Sequence, residues 1–228
     1  MDPISPENPA ALAAGGSQAA RVAADPPRLS RRERRRLNTR AEILNVAREL
    51  LLEVGPEDLS LRQVARRADF SPAALYTYFS SRDELIAALF ADCFERLEAY
   101  VRRVPVDLPP DKRVVELGMA YMEFARDNPI DLRCMLLSTS MELPPSSGKA
   151  VGQGLARLIG ETFREGMEKG VFKPPIPLTT QEMAYGVWAL VHGMVTIAGV
   201  DLSEVAAEVS ADPRRVLEAF VALLTGRR

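Results

Sequence analysis

Four helix-start signals lie between residues 39 and 84, and they restrict the fold of this chain more than any other feature. Each begins with a Ser or Thr, whose side chain can accept a hydrogen bond from a backbone N–H of the first helical turn. The four signals are Thr39 with Glu42, Ser60 with Gln63, Ser71 followed by Pro72, and Ser81 with Glu84. Because capped turns recur at such short intervals, this stretch has little room for β-strands.

Apolar spacing and proline positions extend the helical pattern to the end of the chain. In the first predicted helix, apolar residues recur at steps of one, three and four and so share a face. They are Ile43, Leu44, Ala47, Leu50, Leu51 and Val54, and Gly55-Pro56 ends the helix. Five more helices are predicted over 111–127, from 129, over 149–169, over 179–198 and from 212 to about 226. With no alternating β-pattern and no internal repeat, the sequence predicts an all-α fold of about nine helices.

Composition and charge exclude several classes of protein. Hydrophobic residues make up 47% of the 228 residues, enough for a packed core. Residues 28–82 hold 12 Lys and Arg against 7 Asp and Glu, whereas residues 83–228 hold 16 against 21, and a basic front on an acidic body indicates a polyanionic partner. Two cysteines and one histidine are too few for a disulfide scaffold or a zinc cage. Since no apolar run could span a membrane and no signal peptide is visible, we expect a cytoplasmic protein.

The N-terminal segment divides into a tail and a basic run. Residues 1–27 are rich in Ala, Pro, Gly and Ser without periodicity, which predicts a disordered tail. The run RLSRRERRRLNTR at 28–40 has seven Arg and one Glu. One interpretation is a flexible arm that lies along phosphates or in a minor groove. The other is a solvated extension of the helix that follows.

Helices two and three predict a helix-turn-helix, because only Asp69 and Phe70 separate them. One turn residue needs positive φ, and Asp69 tolerates that conformation better than most residues. Leu75 and Phe79 are the core anchors of helix three, and the opposite face carries only the small side chains Ala73, Ala74 and Thr77. Such a face can enter a major groove, where methyl groups contact thymine and the Thr hydroxyl meets a base edge.

Flanking residues complete the candidate DNA-binding surface. The hydroxyls of Tyr76 and Tyr78 can reach phosphates, although such a pair also packs in cores. Ser60 and Ser71 are helix caps first and phosphate ligands second, and Arg62 and Arg82 add charge near helix starts. The candidate DNA-binding residues are Thr39, Arg40, Ser60, Arg62, Ser71, Ala73, Ala74, Tyr76, Thr77, Tyr78 and Arg82.

Residues 39–90 resemble the DNA-binding domain of the tetracycline-repressor (TetR/AcrR) family of transcriptional regulators. The most specific match is LYTYF at 75–79, followed by SRDEL at 81–85. The sequence departs from the family at Asp69 and Ala73, where Gly is usual or common, and at Arg82, where Lys is common. The resemblance implies a tail with a basic arm over 1–36, a helix-turn-helix DNA-binding domain over 37–84, and a helical ligand-binding and dimerisation domain over 85–228.

The resemblance also implies a homodimer, in which two C-terminal helices of each subunit form the interface. In this sequence helices eight and nine are the candidates, through Val187, Leu190, Val191, Met194, Val216, Phe220 and Leu223. Gly186 and Gly193 would allow the helices to approach closely. One recognition helix makes few base contacts, so two are expected on half-sites about one helical turn (roughly 34 Å) apart in a palindromic operator.

A pocket for a small, largely apolar ligand is expected between helices four and eight, lined by flexible methionines and aromatic residues. The candidate lining residues are Phe94, Met119, Met122, Met135, Phe163, Met167, Trp188 and His192. Residues 188–193 are similar to the Trp-x-x-x-His-Gly signature of one family subgroup, and Trp188 and His192 share a helix face. All of these residues could instead be core packing. The ligand is expected to release a repressor from DNA by favouring a dimer with wrongly spaced recognition helices, and a preference of roughly 1–3 kcal/mol would weaken binding 5- to 150-fold.

Catalysis and DNA binding under the control of a protein partner are the two alternatives to this function. Catalysis is disfavoured because His192 lacks a Cys or Ser partner at a recognisable spacing, and no phosphate loop, cofactor motif or metal motif appears. A DNA-binding protein controlled by a protein partner, without a small ligand, remains the alternative. On either version the protein should associate with the nucleoid.

Overall fold

The computed structural model describes residues 29–138, 149–198 and 211–226, and within these ranges it contains nine α-helices and no strand. The predicted disordered tail over 1–27 lies outside the described residues. The helices are α1 (Arg31–Asp58), α2 (Leu61–Arg67), α3 (Pro72–Tyr76), α4 (Arg82–Val101), α5 (Pro110–Asp127), α6 (Pro129–Ser138), α7 (Lys149–Glu168), α8 (Thr180–Ala198) and α9 (Pro213–Leu224). The all-α prediction is confirmed.

The predicted caps of α2, α3, α4 and α8 are present. Three serines each accept a hydrogen bond from the backbone N–H three residues later, and they are Ser60, Ser71 and Ser81. At the start of α8, Thr179 and Glu182 bond to each other's backbone N–H groups. Each cap satisfies N–H groups that the helix itself leaves free, which is why these short polar residues fix where the helices begin.

The start of α1 differs from the prediction. Ser30 accepts a hydrogen bond from the Glu33 N–H, and the Glu33 carboxylate accepts one from the Ser30 N–H, so α1 begins at Arg31. Thr39 lies inside the helix rather than at its cap. A Ser-x-x-Glu pair followed by arginines, which favour helix, explains the earlier start. The flexible-arm interpretation is therefore wrong for residues 31–40, and the helix extension is correct.

Two apolar cores meet within α4. The first core joins α1, α2 and α3 to the first half of α4, and it continues through Cys93. The second begins at Leu97 and joins the end of α4 to α5, α7, α8 and α9. The boundary proposed after residue 84 remains a prediction, since the first core includes α4 residues beyond it.

Helix α6 packs on both α1 and α4, with a buried ionic cluster between them. Arg48 of α1 lies 2.5 Å from Asp131 of α6 and 2.5 Å from Asp92 of α4, and Arg48 and Asp131 are only 4% and 3% exposed. The cluster therefore joins α1, α4 and α6 through charges that are largely removed from water.

Candidate DNA-binding surface and ligand cavities

The turn before α3 has the strained geometry that a helix-turn-helix requires. Asp69 has a φ of 56°, and among the described residues it is the one position outside glycine with positive φ. The Phe70 N–H donates to the Ala65 carbonyl at 2.9 Å, which closes the turn. Asp tolerates this left-handed conformation because its short polar side chain can bond locally. The predicted role of Asp69 is confirmed.

Helix α3 is held by the buried Leu75 within it and by the buried Phe79 three residues after its end, and it presents its other side to solvent. Leu75 and Phe79 are both 0% exposed, whereas Ala73, Tyr76 and Thr77 are exposed. The Thr77 hydroxyl donates to the Ala74 carbonyl at 2.7 Å, which leaves its lone pairs free to accept a hydrogen bond. Apart from Tyr76, the exposed side chains here are small, and the Thr77 hydroxyl at the end of α3 adds a polar group, as a groove-reading helix needs.

The residues that flank α3 differ in how exposed their side chains are and in the contacts that they already make. Tyr76 is 52% exposed, while Tyr78 is half-buried with its ring edge-on to Phe70 at 6.5 Å between centroids. The Arg40 guanidinium lies 5.2 Å from the centre of the Phe79 ring, so Arg40 contributes to packing of α1 on α3 as well as charge. Arg62 is exposed at the start of α2, and the Ser60 hydroxyl is already hydrogen-bonded to Gln63.

Arg82 has a structural role that sequence reasoning did not anticipate. Its guanidinium donates hydrogen bonds to the backbone carbonyls of Leu59 and Pro56, at the corner between α1 and α2. These carbonyls follow the non-helical Gly55, which has a φ of 81°. The side chain joins the start of α4 to the α1–α2 corner, and the contribution of Arg82 to phosphate binding stays a prediction.

An arginine-lined cleft lies between the first turns of α1 and the end of α3. On one side its wall includes Thr39 and three arginines of α1, namely Arg32, Arg35 and Arg36. On the other side it includes Thr77 and Tyr78 of the recognition segment, which is α3 with the three residues that follow it (72–79). Sequence reasoning had named the arginine run as a whole, not these side chains. Their i, i+3, i+4 spacing was the available signal, once the segment is known to be helical.

A large open cavity lies beside α5. Its volume is about 1090 Å³, and Met119 and Met122 line it together with Met194 of α8. Four arginines and two glutamates also line it, namely Arg103, Arg126, Arg133, Arg214, Glu116 and Glu123. Arg214 and Glu116 form a two-pronged ion pair at 2.6 and 3.1 Å. The wall is thus less purely apolar than the sequence suggested.

A second, much smaller cavity of about 30 Å³ lies beside Trp188. The Trp188 and His192 rings are 5.0 Å apart, and His192 Nδ1 lies 2.8 Å from the Tyr121 hydroxyl. Burial lowers the pKa of His192 and raises the pKa of Tyr121 to about 12, which favours the neutral form of both groups, and the tautomer of His192 determines which of the two donates the hydrogen bond. The three rings form one connected aromatic group on α5 and α8.

Five predicted pocket residues do not line these two cavities, and one of them is His192, which contacts Tyr121 and Trp188 instead. Phe163 is fully buried and packs on Phe172 with ring centres 4.9 Å apart, so it is a core residue. Met167 is 40% exposed on the surface of α7. Phe94 and Met135 are half-buried, and Met135 packs against both apolar cores. At these four positions the side chains lie in the core, at its edge or on the surface rather than in either cavity.

The predicted interface residues on α8 and α9 fall on different faces. Val187 and Val191 are 4% and 3% exposed and pack within the second core of their own chain, so they are not available to a partner. This part of the predicted interface is wrong, because α8 is apolar on more than one side. Leu223 is 63% exposed, and the others are half-buried: Leu190, Met194, Val216 and Phe220. The outer side of α8 also exposes Tyr185, Trp188 and Ile197.

A family of known proteins matches the N-terminal helices of this chain. The family model described as "Bacterial regulatory proteins, tetR family" matches residues 43–89. The HTH-type transcriptional regulator Rv1816 of Mycobacterium tuberculosis is 34% identical over 105 residues, which are 45% of this chain and 45% of that protein. The chain thus spans about half the length of that relative. The regulator UidR of Escherichia coli is 24% identical over 66% of this chain and 80% of its own.

Solved structures share the fold over most of the chain. A regulatory protein in the tetR family from Rhodococcus RHA1 has a TM-score of 0.66 at 18% identity, covering 82% of this chain and 96% of that one. AibR, solved in complex with isovaleryl coenzyme A and operator DNA, has a TM-score of 0.66 at 15% identity and covers 83% and 100%. At such identities the likeness establishes the fold alone. No described helix is long and apolar enough to cross a membrane.

Proposed function

We propose that the protein is a ligand-responsive, sequence-specific transcriptional regulator acting as a repressor, because residues 43–89 match the model of the tetR family of bacterial regulatory proteins. The observation that carries the proposal is α3 itself. Two buried anchors, Leu75 and Phe79, hold a short helix whose outward side carries Ala73, Ala74 and Thr77. This surface serves major-groove readout and has no evident use in a catalytic protein.

The proposal includes a homodimer that reads a palindromic operator. A single α3 of five residues reaches few base edges, so specificity requires a second copy about one helical turn (roughly 34 Å) away. The outer sides of α8 and α9 are the proposed interface, with Leu223, Tyr185 and Ile197 as exposed apolar contacts. Gly186 lies against Phe220 of the same chain, where a Cβ would make an ordinary contact at 3.4 Å, so its contribution is to the packing of α8 on α9. We expect the protein at the nucleoid.

The proposed effector is a small molecule with a largely apolar body, bound in the cavity beside α5. Met119, Met122 and Met194 supply adaptable apolar contacts, and the lining arginines favour an effector that carries a negative group. The fold accommodates both partners in AibR, which was solved with isovaleryl coenzyme A and operator DNA. We assign Trp188 and His192 to the Trp-x-x-x-His-Gly subgroup motif, where His192 contacts both Trp188 and Tyr121 and so stiffens the wall between α5 and α8.

Selection of binding sites from random duplex DNA tests the regulatory function. The purified chain should enrich one palindromic sequence, and Thr77→Ala should change the enriched bases without abolishing binding. Equal recovery of all sequences would contradict sequence-specific regulation. Thermal-shift screening with apolar acids then tests the effector: a stabilising compound that also releases the selected duplex supports ligand control, and the absence of one favours control by a protein partner.

A further inference from the structure

The first turns of α1 place a stripe of cations beside the recognition segment. Arg32, Arg35 and Arg36 are spaced i, i+3 and i+4, followed by Thr39 at i+7, and this spacing puts them on one side of the helix. All four line the cleft whose opposite wall is formed by Thr77 and Tyr78. A base-reading surface and a cationic stripe therefore share one concave space.

We propose that this cleft holds the sugar–phosphate backbone of one DNA strand next to the bases that α3 reads. The inference rests on the proposed function and adds a second DNA-contacting element to it. Guanidinium groups pair with phosphate in two-pronged geometry, and the hydroxyls of Thr39 and Tyr78 can donate to the same oxygens. Glu42 is the one acidic residue among the residues that line the cleft, so the three arginines leave it strongly positive.

The helical form of this segment is what makes the contact specific in position. The Ser30–Glu33 capping box fixes the start of α1, so the arginines are carried on a formed helix rather than on a chain that must order upon binding. Pre-organised side chains lose less entropy on binding than those of a flexible arm. A formed helix also predicts that neighbouring arginines on its other sides contribute less, which a flexible arm does not.

A pair of matched double variants tests the proposal on the selected duplex. Arg32→Ala/Arg35→Ala removes two cations from the cleft. Arg31→Ala/Arg34→Ala removes two from the same turns outside it, where Arg34 donates to the Leu29 carbonyl. Both pairs keep Ser30 and Glu33, and Ala preserves helix, which circular dichroism verifies. Binding is measured by fluorescence anisotropy across a salt series.

For the cleft variant, the slope of log affinity against log salt should fall by about 0.9 per lost phosphate contact, and affinity at 0.15 M salt should fall about fivefold per contact. Sequence preference should stay unchanged, and the control variant should keep nearly the native slope. Equal losses in both variants, or none in either, would overturn the cleft assignment. Altered preference for flanking A·T pairs would instead place the arginines in a minor groove and also overturn it. A native chain that enriches no sequence would refute the proposed function itself.

Discussion

The buried ion pair between Arg48 and Asp131 should be one of the most sensitive points of this fold. Arg48 Nε lies 2.5 Å from Asp131 Oδ1, as an ion pair whose N–H is not aligned for a hydrogen bond. The Asp131 carboxylate also accepts hydrogen bonds from the Cys93 thiol at 3.3 Å and from the Arg96 guanidinium at 3.4 Å. Burial lowers the pKa of Arg48, but the neighbouring carboxylates outweigh this and raise it, so the guanidinium stays charged.

Asp131→Asn keeps the shape of the side chain and removes only its charge. Removing one partner of a buried ion pair costs about 3–5 kcal/mol, because the other charge is left uncompensated. Since Asp92, with 26% of its side chain exposed, still pairs with Arg48, we expect the lower end of this range, about 3 kcal/mol. For a chain of this size that corresponds to a loss of about 6–12 °C in Tm.

Urea unfolding followed by circular dichroism at one protein concentration measures this loss. Glu168→Gln is the matched control, because its ion pair with Arg164 is exposed on α7 and should contribute little. The double variant Arg48→Met/Asp131→Leu should recover most of the stability, since apolar replacement of both partners removes the uncompensated charge. The reasoning fails if Asp131→Asn unfolds like Glu168→Gln, or if the double variant is as unstable as the single one.

Three further predictions concern other parts of the molecule. His192 is the single histidine of the chain, and burial lowers its pKa below 6.5 in the folded state. Its contribution to stability is therefore complete above pH 6.5 and is lost as the pH falls through the folded pKa. A pH series of unfolding free energies should show this decline in the native chain and lack that component in His192→Gln; parallel profiles would contradict it. Gly118→Ala should lower the free energy of unfolding measured in urea by about 1–3 kcal/mol, because the new Cβ would lie 2.5 Å from Leu217 Cδ2 and 3.1 Å from Val191 Cγ2. An unchanged urea midpoint would contradict this and show that the core adjusts easily. Tyr76→Phe should weaken anisotropy-measured binding to selected and unrelated duplexes by the same factor, since a phosphate contact carries no sequence information; a change in preference would assign Tyr76 to base readout.

Short sequence signals, namely helix caps and turn residues, predicted where most of the helices begin. Ser60, Ser71 and Ser81 cap their helices as expected, because a side chain that satisfies a free N–H acts within three residues and needs no tertiary information. The turn at Asp69 was predictable for the same reason. The start of α1 was missed because Ser30–Glu33 and Thr39–Glu42 both fit the cap pattern, and arginines carry no apolar periodicity with which to choose between them.

Tertiary placement was harder to predict than helix position. Val187 and Val191 look like interface residues in the sequence, but α8 is apolar on both its inner and outer sides, so spacing alone cannot say which side meets a partner. Arg82 is predicted from the sequence as a phosphate ligand, whereas the hydrogen bonds of its guanidinium to carbonyls of the α1–α2 corner, more than twenty residues away, were not predicted. Both outcomes depend on contacts distant in sequence, which a motif does not encode.

The most direct test of the central claim is a hydroxyl-radical footprint of the complex on its selected duplex. Two copies of α3, fixed by one dimer, should protect two patches on the same side of the duplex, with centres about one helical turn (roughly 34 Å) apart. A single protected patch, or protection spread evenly along the fragment, would contradict the account.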